Sequence, residues 1–225
     1  MSARAFPERC RAVLFDMDGV IVDSMPYHAD AWMGAIRECC GLELSREDIF
    51  RREGMPGITS IIDILSEKNA PIPDEAELVR IREAKLRIFE HAVVRVFPGV
   101  ADILAMLAKR NIARGLVTGS MRRSVRHLLP PTLRTAFQAI VTGDDIRNGK
   151  PHPEPYLSCL ARLGVDAAQA IAVENAPMGI RSARGAGLAC VAIRTTLDET
   201  HLSEADAIVP DHDALRTFLE IALGA

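Results

Sequence analysis

Aromatic residues are scarce in this sequence of 225 residues, because phenylalanine, tyrosine and tryptophan together make up only 4% of it. Single-stranded nucleic acids are bound largely by aromatic side chains on which the bases stack. An excess of positive charge is also missing, since the formal net charge is −3. A groove for a nucleic-acid backbone needs clustered lysine and arginine. We therefore expect no nucleic-acid partner.

Long apolar runs are missing as well. No apolar segment approaches the roughly 20 residues that cross a bilayer, and residues 1–11 lack the apolar stretch of a secretory signal. The five cysteines are odd in number and show no metal-ligand spacing, which is typical of free thiols in a reducing compartment. We expect a cytoplasmic protein that binds no membrane and is a monomer.

What the sequence does contain is a set of short, continuously apolar runs that alternate with segments of helical length. The apolar runs are 12–15, 113–117, 139–141, 171–173, 190–193 and 207–209, and the helical segments are 100–109, 124–129, 154–163 and 178–186. Continuous apolarity predicts strands that are covered on both faces. The alternation predicts right-handed βαβ crossovers, and hence an α/β fold with a doubly wound parallel sheet.

One long stretch interrupts this alternation. Residues 24–97 contain no clear buried strand and divide into four predicted helices, 27–39, 45–52, 58–68 and 74–92. An insertion of this length directly after the first strand predicts a separate α-helical cap domain. We therefore divide the chain into a Rossmann-like core of residues 1–23 and 98–225 and a cap of residues 24–97.

Polar side chains follow four of the predicted strands. They are Asp16 and Asp18 after the first strand, Thr118, Gly119 and Ser120 after the second, Lys150 in the turn after the third, and Glu174 and Asn175 after the fourth. Because the carboxyl ends of parallel strands meet at one edge of a sheet, we expect these groups to converge on one cleft. The spacing of the first pair places both carboxylates on one side of the chain.

In order and approximate spacing, the four groups resemble the motifs of the haloacid dehalogenase-like (HAD-like) superfamily of phosphatases and phosphomutases. The resemblance implies that Asp16 is a nucleophile that forms an aspartyl-phosphate. It implies that Asp18 is the general acid and base, and that Lys150 neutralises the charge around Asp16. Dehalogenase members of the superfamily lack the second aspartate, so Asp18 points to phosphate chemistry.

The same resemblance implies a phosphate and metal site. Thr118, Gly119 and Ser120 are expected to bind the phosphoryl oxygens. Glu174 and Asn175, with the Asp16 carboxylate and the main-chain carbonyl of Asp18, are expected to hold Mg²⁺, which prefers oxygen ligands. The commoner family pattern has two acids where this chain has Glu174 and Asn175. We therefore expect somewhat weaker metal binding and less repulsion of a highly anionic substrate.

The segment that leads from the core into the cap, residues 18–28, resembles β-phosphoglucomutase-like members. His28 and Glu53 are candidates to face the substrate, and the alternatives are a packed helix histidine and a plain surface acid. Thr59 stands where we align the arginine with which mutases hold a second phosphate, which weakens the mutase interpretation. The segment 174–177 together with Glu53 resembles members that include inorganic pyrophosphate hydrolases.

These observations predict a Mg²⁺-dependent phosphohydrolase that acts on pyrophosphate or a small phosphate ester. A β-phosphoglucomutase-like phosphomutase is the first alternative, because it would share every core residue. The second alternative, from another class, is a non-catalytic phosphate-binding regulatory module, since receiver-like modules also carry an acceptor aspartate on a doubly wound sheet. A receiver needs no lid, so the long insertion argues against it.

Overall fold

The protein is built around one parallel sheet. The structure, a computed structural model, describes residues 4–52, 55 and 57–224. The sheet has six strands in the order β3-β2-β1-β4-β5-β6, all of them paired in parallel. The strands are β1 (Ala12–Phe15), β2 (Ala113–Val117), β3 (Ala139–Val141), β4 (Ala170–Glu174), β5 (Ala189–Ile193) and β6 (Ala207–Val209). All six predicted strands are therefore present, and the α/β class with a doubly wound parallel sheet is confirmed.

The strand order reverses next to β1, which lies at the centre of the sheet. Leu14 of β1 is in register with Gly115 on one side and with Ala172 on the other. The chain builds β2 and β3 outward from β1, and then returns to place β4, β5 and β6 on the opposite side. Such a reversal opens a crevice at the carboxyl ends of the strands, where open α/β sheets bind ligands.

Helices connect these strands and form the insertion. In chain order they are α1 (Met25–Cys40), α2 (Arg46–Phe50), α3 (Gly57–Glu67), α4 (Glu75–Phe89), α5 (Val100–Lys109), α6 (Arg122–Leu128), α7 (Pro131–Arg134), α8 (Glu154–Leu163), α9 (Pro177–Gly185) and α10 (His212–Ala222). The bounds predicted for α5 and α8 agree with the structure. Helix α4 ends three residues earlier than predicted, because Glu90 already closes its last turn. Helices α7 and α10 were not predicted.

Side chains of β1 alternate between two apolar layers. Val13 and Phe15 pack in the layer that includes residues of α5 and α10, whereas Ala12 and Leu14 pack in the layer that includes residues of α8 and α9. A strand that is buried on both faces reads as a continuous apolar run, which explains why the core strands were visible in the sequence.

The inserted helices have an apolar cluster of their own, formed by α1 to α4 and the turn before α2. Its buried members include Ile36, Ile49, Ile61 and Ile81. Helix α2 starts with a capping box between Ser45 and Asp48. This separate cluster supports the proposed division into a cap of residues 24–97 and a core of residues 1–23 and 98–225.

The insertion leaves and re-enters the core along two adjacent antiparallel segments. Val22 pairs with Val96, the Asp23 N–H donates to the carbonyl of Arg95 at 2.8 Å, and the Phe97 N–H donates to the carbonyl of Ile21 at 3.0 Å. The two connections therefore lie side by side. Among the described residues, no helix is both long and apolar enough to span a membrane.

Candidate active site

The residues predicted to carry chemistry meet at the carboxyl edge of the sheet, beneath the inserted helices. Asp16 follows β1 directly, and its N–H donates to the carbonyl of Val173 at 3.0 Å. Asp16 and Asp18 are both buried, with 5% and 8% of their surfaces exposed. A cleft is lined from the sheet side by Asp16, Asp18, Gly119, Ser120, Lys150 and Glu174, and from the insertion by His28, Trp32, Arg52, Gly57, Ser60 and Lys85.

Lys150 joins two of the buried acids. Its ammonium donates to Asp16 Oδ1 at 2.5 Å and to Glu174 Oε1 at 2.6 Å. Burial alone would lower the pKa of Lys150, but the two carboxylates raise it above its usual value. The Tyr156 hydroxyl donates to the same Glu174 oxygen at 2.6 Å. Lys150 is thus a fixed positive charge beside the expected nucleophile.

Asp16 lies in an environment that is short of positive charge. Burial, followed by the negative charges of Glu174 and Asp18, raises the pKa of Asp16 above its usual range, although Lys150 acts in the opposite direction. A nucleophilic carboxylate must be ionised. Further positive charge near Asp16, from a cation, would favour the ionised form.

Asp18 is surrounded by hydroxyl donors. Ser24 Oγ donates to its Oδ1 at 2.6 Å, whereas Ser120 Oγ and Thr118 Oγ1 donate to its Oδ2 at 2.9 and 3.2 Å. Burial acts to raise the pKa of Asp18, but the contact with His28 and the hydroxyl hydrogen bonds hold it well below its usual range. The Thr118 hydroxyl, which was expected to bind a phosphoryl group, therefore stabilises the Asp18 carboxylate in this structure. The Ser120 N–H, expected at the same oxygens, donates to Thr118 Oγ1 at 3.0 Å.

Besides Ser24, the insertion contacts Asp18 through His28, which is itself in contact with Lys85. His28 Nε2 lies 3.3 Å from Asp18 Oδ1, and Lys85 Nζ lies 3.1 Å from His28 Nδ1. Burial lowers the pKa of His28 and lowers that of Lys85 to about 8. A neutral His28 that accepts a hydrogen bond from Lys85 at Nδ1 carries its proton on Nε2. The Nε2–H then donates a hydrogen bond to Asp18. His28 therefore lies in the cleft, where it was predicted as a candidate.

Lys85 and Ser24 were not predicted from the sequence. Lys85 lies in the middle of α4 and is only 8% exposed, with its ammonium 4.3 Å from the ring centroid of Phe89. A lysine in a charged helix normally indicates a solvated face, so its sequence context gave no signal. Ser24 lies directly before α1, where a serine normally indicates a helix cap.

Glu174 is the last residue of β4 and Asn175 follows it, and both are buried. The Asn175 Nδ2 donates to Thr196 Oγ1 at 2.9 Å. No three or more His, Cys, Asp or Glu side chains among the described residues form a metal site, so a cation would also need amide and main-chain oxygens. Carboxylate, amide and carbonyl oxygens are all ligands that Mg²⁺ accepts. This donor set, in a region short of positive charge, fits Mg²⁺.

Two further predictions concern the start of α3 and the residues before it. Glu53, a candidate to face the substrate, lies outside the described residues. Gly57 and Ser60 line the cleft, whereas Thr59 is exposed and does not. One face of α3 is therefore turned to the cleft, and Thr59 is not the position from which a side chain would reach the substrate.

A family profile described as "Haloacid dehalogenase-like hydrolase" matches residues 13–193. This chain belongs to the HAD-like hydrolases. The phosphorylated carbohydrates phosphatase of Thermotoga maritima is 31% identical over 204 residues, which cover 88% of this chain and 92% of that protein. The pyrophosphatase PpaX of Oceanobacillus iheyensis is 29% identical, with coverages of 85% and 86%. The solved structure of β-phosphoglucomutase from Clostridium difficile superposes with a TM-score of 0.80 at 25% identity, covering 95% of this chain and 97% of that one.

The resemblance inferred from the four motifs is therefore confirmed, and so is the general class of enzyme. The chain is an HAD-like phosphatase, and the two relatives named above are phosphatases of phosphorylated carbohydrates and of pyrophosphate. These relatives favour an enzyme over the regulatory module that the sequence had left open.

Proposed function

We propose that this HAD-like enzyme is a Mg²⁺-dependent phosphohydrolase that works through an aspartyl-phosphate on Asp16. One observation carries the proposal. Asp16 lies buried at the end of the central strand, with the Lys150 ammonium 2.5 Å away and bonded also to Glu174. This arrangement gives a carboxylate nucleophile a fixed cation beside the place where negative charge develops during phosphoryl transfer.

The reaction proceeds in two displacements. An Asp16 oxygen attacks phosphorus, the bond from phosphorus to the leaving oxygen breaks, and protonated Asp18 gives that oxygen a proton. Asp18 then takes a proton from water, the water oxygen attacks phosphorus, and the Asp16–phosphorus bond breaks to release phosphate. When bound, Mg²⁺ supplies positive charge that stabilises the transferring phosphoryl group. The proposed ligands are the Asp16 and Glu174 carboxylates, the Asn175 amide and the Asp18 main-chain carbonyl.

Asp18 must carry a proton before the first displacement, although its pKa is held low when substrate is absent. Thr118 and Ser120, whose hydroxyls now donate to Asp18, are also the residues proposed to bind the phosphoryl oxygens. A bound phosphoryl group competes for both hydroxyls. Their loss from Asp18 removes two hydrogen bonds to its charged form, which lets its pKa rise toward the value that an acid needs.

The cleft favours a small organic phosphate ester. Its cavity of about 190 Å³ is smaller than the roughly 300–1,000 Å³ of typical ligand pockets. Its insertion side carries the apolar side chains of Trp32, Ile49 and Met55. An apolar wall contacts a carbon-bearing leaving group better than it contacts a phosphate. Pyrophosphate is the second candidate, supported by the similarity to a pyrophosphatase, and a phosphomutase is the third, supported by the structural similarity to β-phosphoglucomutase.

The test is phosphate release from a panel of sugar phosphates, phosphoglycolate and pyrophosphate, run with Mg²⁺ and with EDTA. We expect turnover of at least one ester that depends on Mg²⁺. The turnover rate of Asp16→Asn should be lower by more than about a thousandfold, because an amide cannot form the acyl-phosphate. The circular dichroism spectrum of the variant serves as the control for folding.

Three results would contradict parts of this proposal. Turnover of Asp16→Asn within about tenfold of the wild type would exclude covalent catalysis at this residue. Activity that survives EDTA would exclude the metal. Efficient interconversion of β-glucose 1-phosphate and glucose 6-phosphate, with little free phosphate, would make the enzyme a mutase.

A further inference from the structure

Two threonines after β5 contact the two loops of the proposed metal site. The Thr195 hydroxyl donates to the main-chain carbonyl of Gly19. The Thr196 hydroxyl accepts from Nδ2 of Asn175 at 2.9 Å. Gly19 follows Asp18, whose carbonyl is a proposed ligand, and Asn175 is a proposed ligand itself. Neither threonine was predicted from the sequence, and the proposed reaction has so far given them no role.

The Asn175 side chain is held in a close-fitting space. Gly19 has a φ of +81°, and a Cβ added to it would lie 2.0 Å from Asn175 Nδ2 and 2.9 Å from Thr196 Oγ1. Only glycine leaves room for the amide at this point. The amide nitrogen therefore lies between the Gly19 backbone and the Thr196 hydroxyl.

This arrangement matters because an amide has two different ends. Its oxygen can bind a cation, whereas its NH₂ group repels one. In this structure the Thr196 hydroxyl accepts from Nδ2. Because oxygen and nitrogen leave the same carbon in different directions, Oδ1 then points away from Thr196. A carboxylate has two equivalent oxygens and needs no such partner. A chain with asparagine in place of an acid therefore needs an orienting group.

The main chain on both sides of Gly19 is oriented by similar hydrogen bonds. The Gly19 N–H donates to the carbonyl of Val22 at 2.8 Å, and the Gly19 carbonyl accepts from Thr195. In a planar trans peptide the N–H and the preceding carbonyl point in opposite directions. Hence the Gly19 N–H bond also fixes the direction of the Asp18 carbonyl.

We propose that Thr196 is a positioning residue that orients Asn175 so that its amide oxygen, and not its nitrogen, is offered to the metal. Thr195 supports it by holding Gly19, which forms the other wall around the amide. This inference rests on the proposed Mg²⁺ site. Partners that orient metal ligands typically change metal affinity by 10–100-fold when they are lost.

The test measures Mg²⁺ binding directly, by isothermal titration calorimetry without substrate. We expect Thr196→Val, which keeps the shape and removes the hydroxyl, to bind Mg²⁺ about tenfold more weakly than the wild type. Thr196→Ser should restore most of the affinity. Thr217→Val is the matched control, because its hydroxyl bonds to the Asp213 carbonyl on α10, and it should bind Mg²⁺ as the wild type does.

The same substitution in an Asn175→Asp protein distinguishes a loss of amide orientation from a general disturbance of the site. In Asn175→Asp the ligand has two equivalent oxygens, so adding Thr196→Val should cost much less affinity than it costs the wild type. Unchanged affinity in Thr196→Val, or an equal loss in both backgrounds, would overturn the role of Thr196 and leave the proposed phosphohydrolase standing. A wild-type protein that binds no Mg²⁺ would overturn the metal site and this role together.

Discussion

Asn175 stands where the resemblance to the family leads us to expect an acid. Three carboxylates, Asp16, Asp18 and Glu174, are buried in this site, and the buried Lys150 ammonium pairs with Asp16 and Glu174. A second acid in place of Asn175 would add a fourth negative charge to this group. The uncharged amide therefore limits the repulsion that the protein must overcome when no metal is bound.

Asn175→Asp tests this balance of charge. We expect the Mg²⁺ concentration that gives half-maximal rate to fall by at least about threefold, because the new carboxylate attracts the cation more strongly than an amide does. Without Mg²⁺ the variant should melt at a lower temperature than the wild type, and added Mg²⁺ should raise its melting temperature by a larger amount. A half-saturating concentration that is unchanged or higher would show that Asn175 is not a ligand.

At the scale of elements, close contact between β2 and α8 depends on a glycine in the middle of a strand. A Cβ added to Gly115 would lie 2.5 Å from Cys159 Sγ, 3.2 Å from Leu14 and 3.4 Å from Leu163. Cys159 is fully buried, and burial raises the pKa of its thiol to about 12. This thiol therefore acts as an apolar packing group and not as a nucleophile.

Gly115→Ala should lower the free energy of unfolding by about 1–3 kcal/mol, because the added methyl group overpacks the contact between β2 and α8. Gly185→Ala is the control, since its Cβ would meet nothing nearer than 3.5 Å and it ends helix α9. There alanine should be neutral or stabilise by up to about 1 kcal/mol. Urea unfolding curves measure both changes. If Gly115→Ala leaves the free energy of unfolding unchanged, α8 can move to accommodate the methyl group without loss of stability.

At the scale of the whole molecule, the inserted helices form one wall of the cleft and the sheet forms the other. Trp32, the only tryptophan of the chain, lies in α1 and lines this cleft. A Cβ added to Gly57 would lie 2.7 Å from its ring, and Lys85 Nζ lies 5.6 Å from the ring centroid. Trp32 therefore packs against other residues of the insertion and borders the cleft, so a ligand bound there would change its surroundings.

Binding of a phosphorylated ligand should therefore change the tryptophan fluorescence. We expect a saturable change when Asp16→Asn, which cannot turn over, is titrated with its ester substrate in the presence of Mg²⁺. The Trp32→Phe form of the same variant should show no change. If calorimetry records binding while the fluorescence stays constant, the ligand does not reach the wall that Trp32 forms.

The sequence predicted the sheet and the main site residues because both follow from simple patterns. Strands buried on both faces are apolar throughout, and a parallel sheet brings Asp16, Lys150 and Glu174 to one edge. Contacts that arise only when separate elements pack were not predictable. Lys85 reaches His28 from a helix whose sequence indicates a solvated face, and Thr196 meets Asn175 across the loops after two strands. Helix α10 does have a sequence signal, the N-cap residue Asp211 before an amphipathic stretch.

The paired connections at Val22 and Val96 have a consequence for how such enzymes diversify. Because the chain leaves and returns at neighbouring points, the ends of the core are already joined by main-chain hydrogen bonds whatever lies between them. An inserted module can therefore grow, shrink or be replaced without any change in strand order, as is typical of tolerated domain insertions. Selection for new leaving groups can act on the inserted module while the core residues proposed to transfer the phosphoryl group are inherited unchanged.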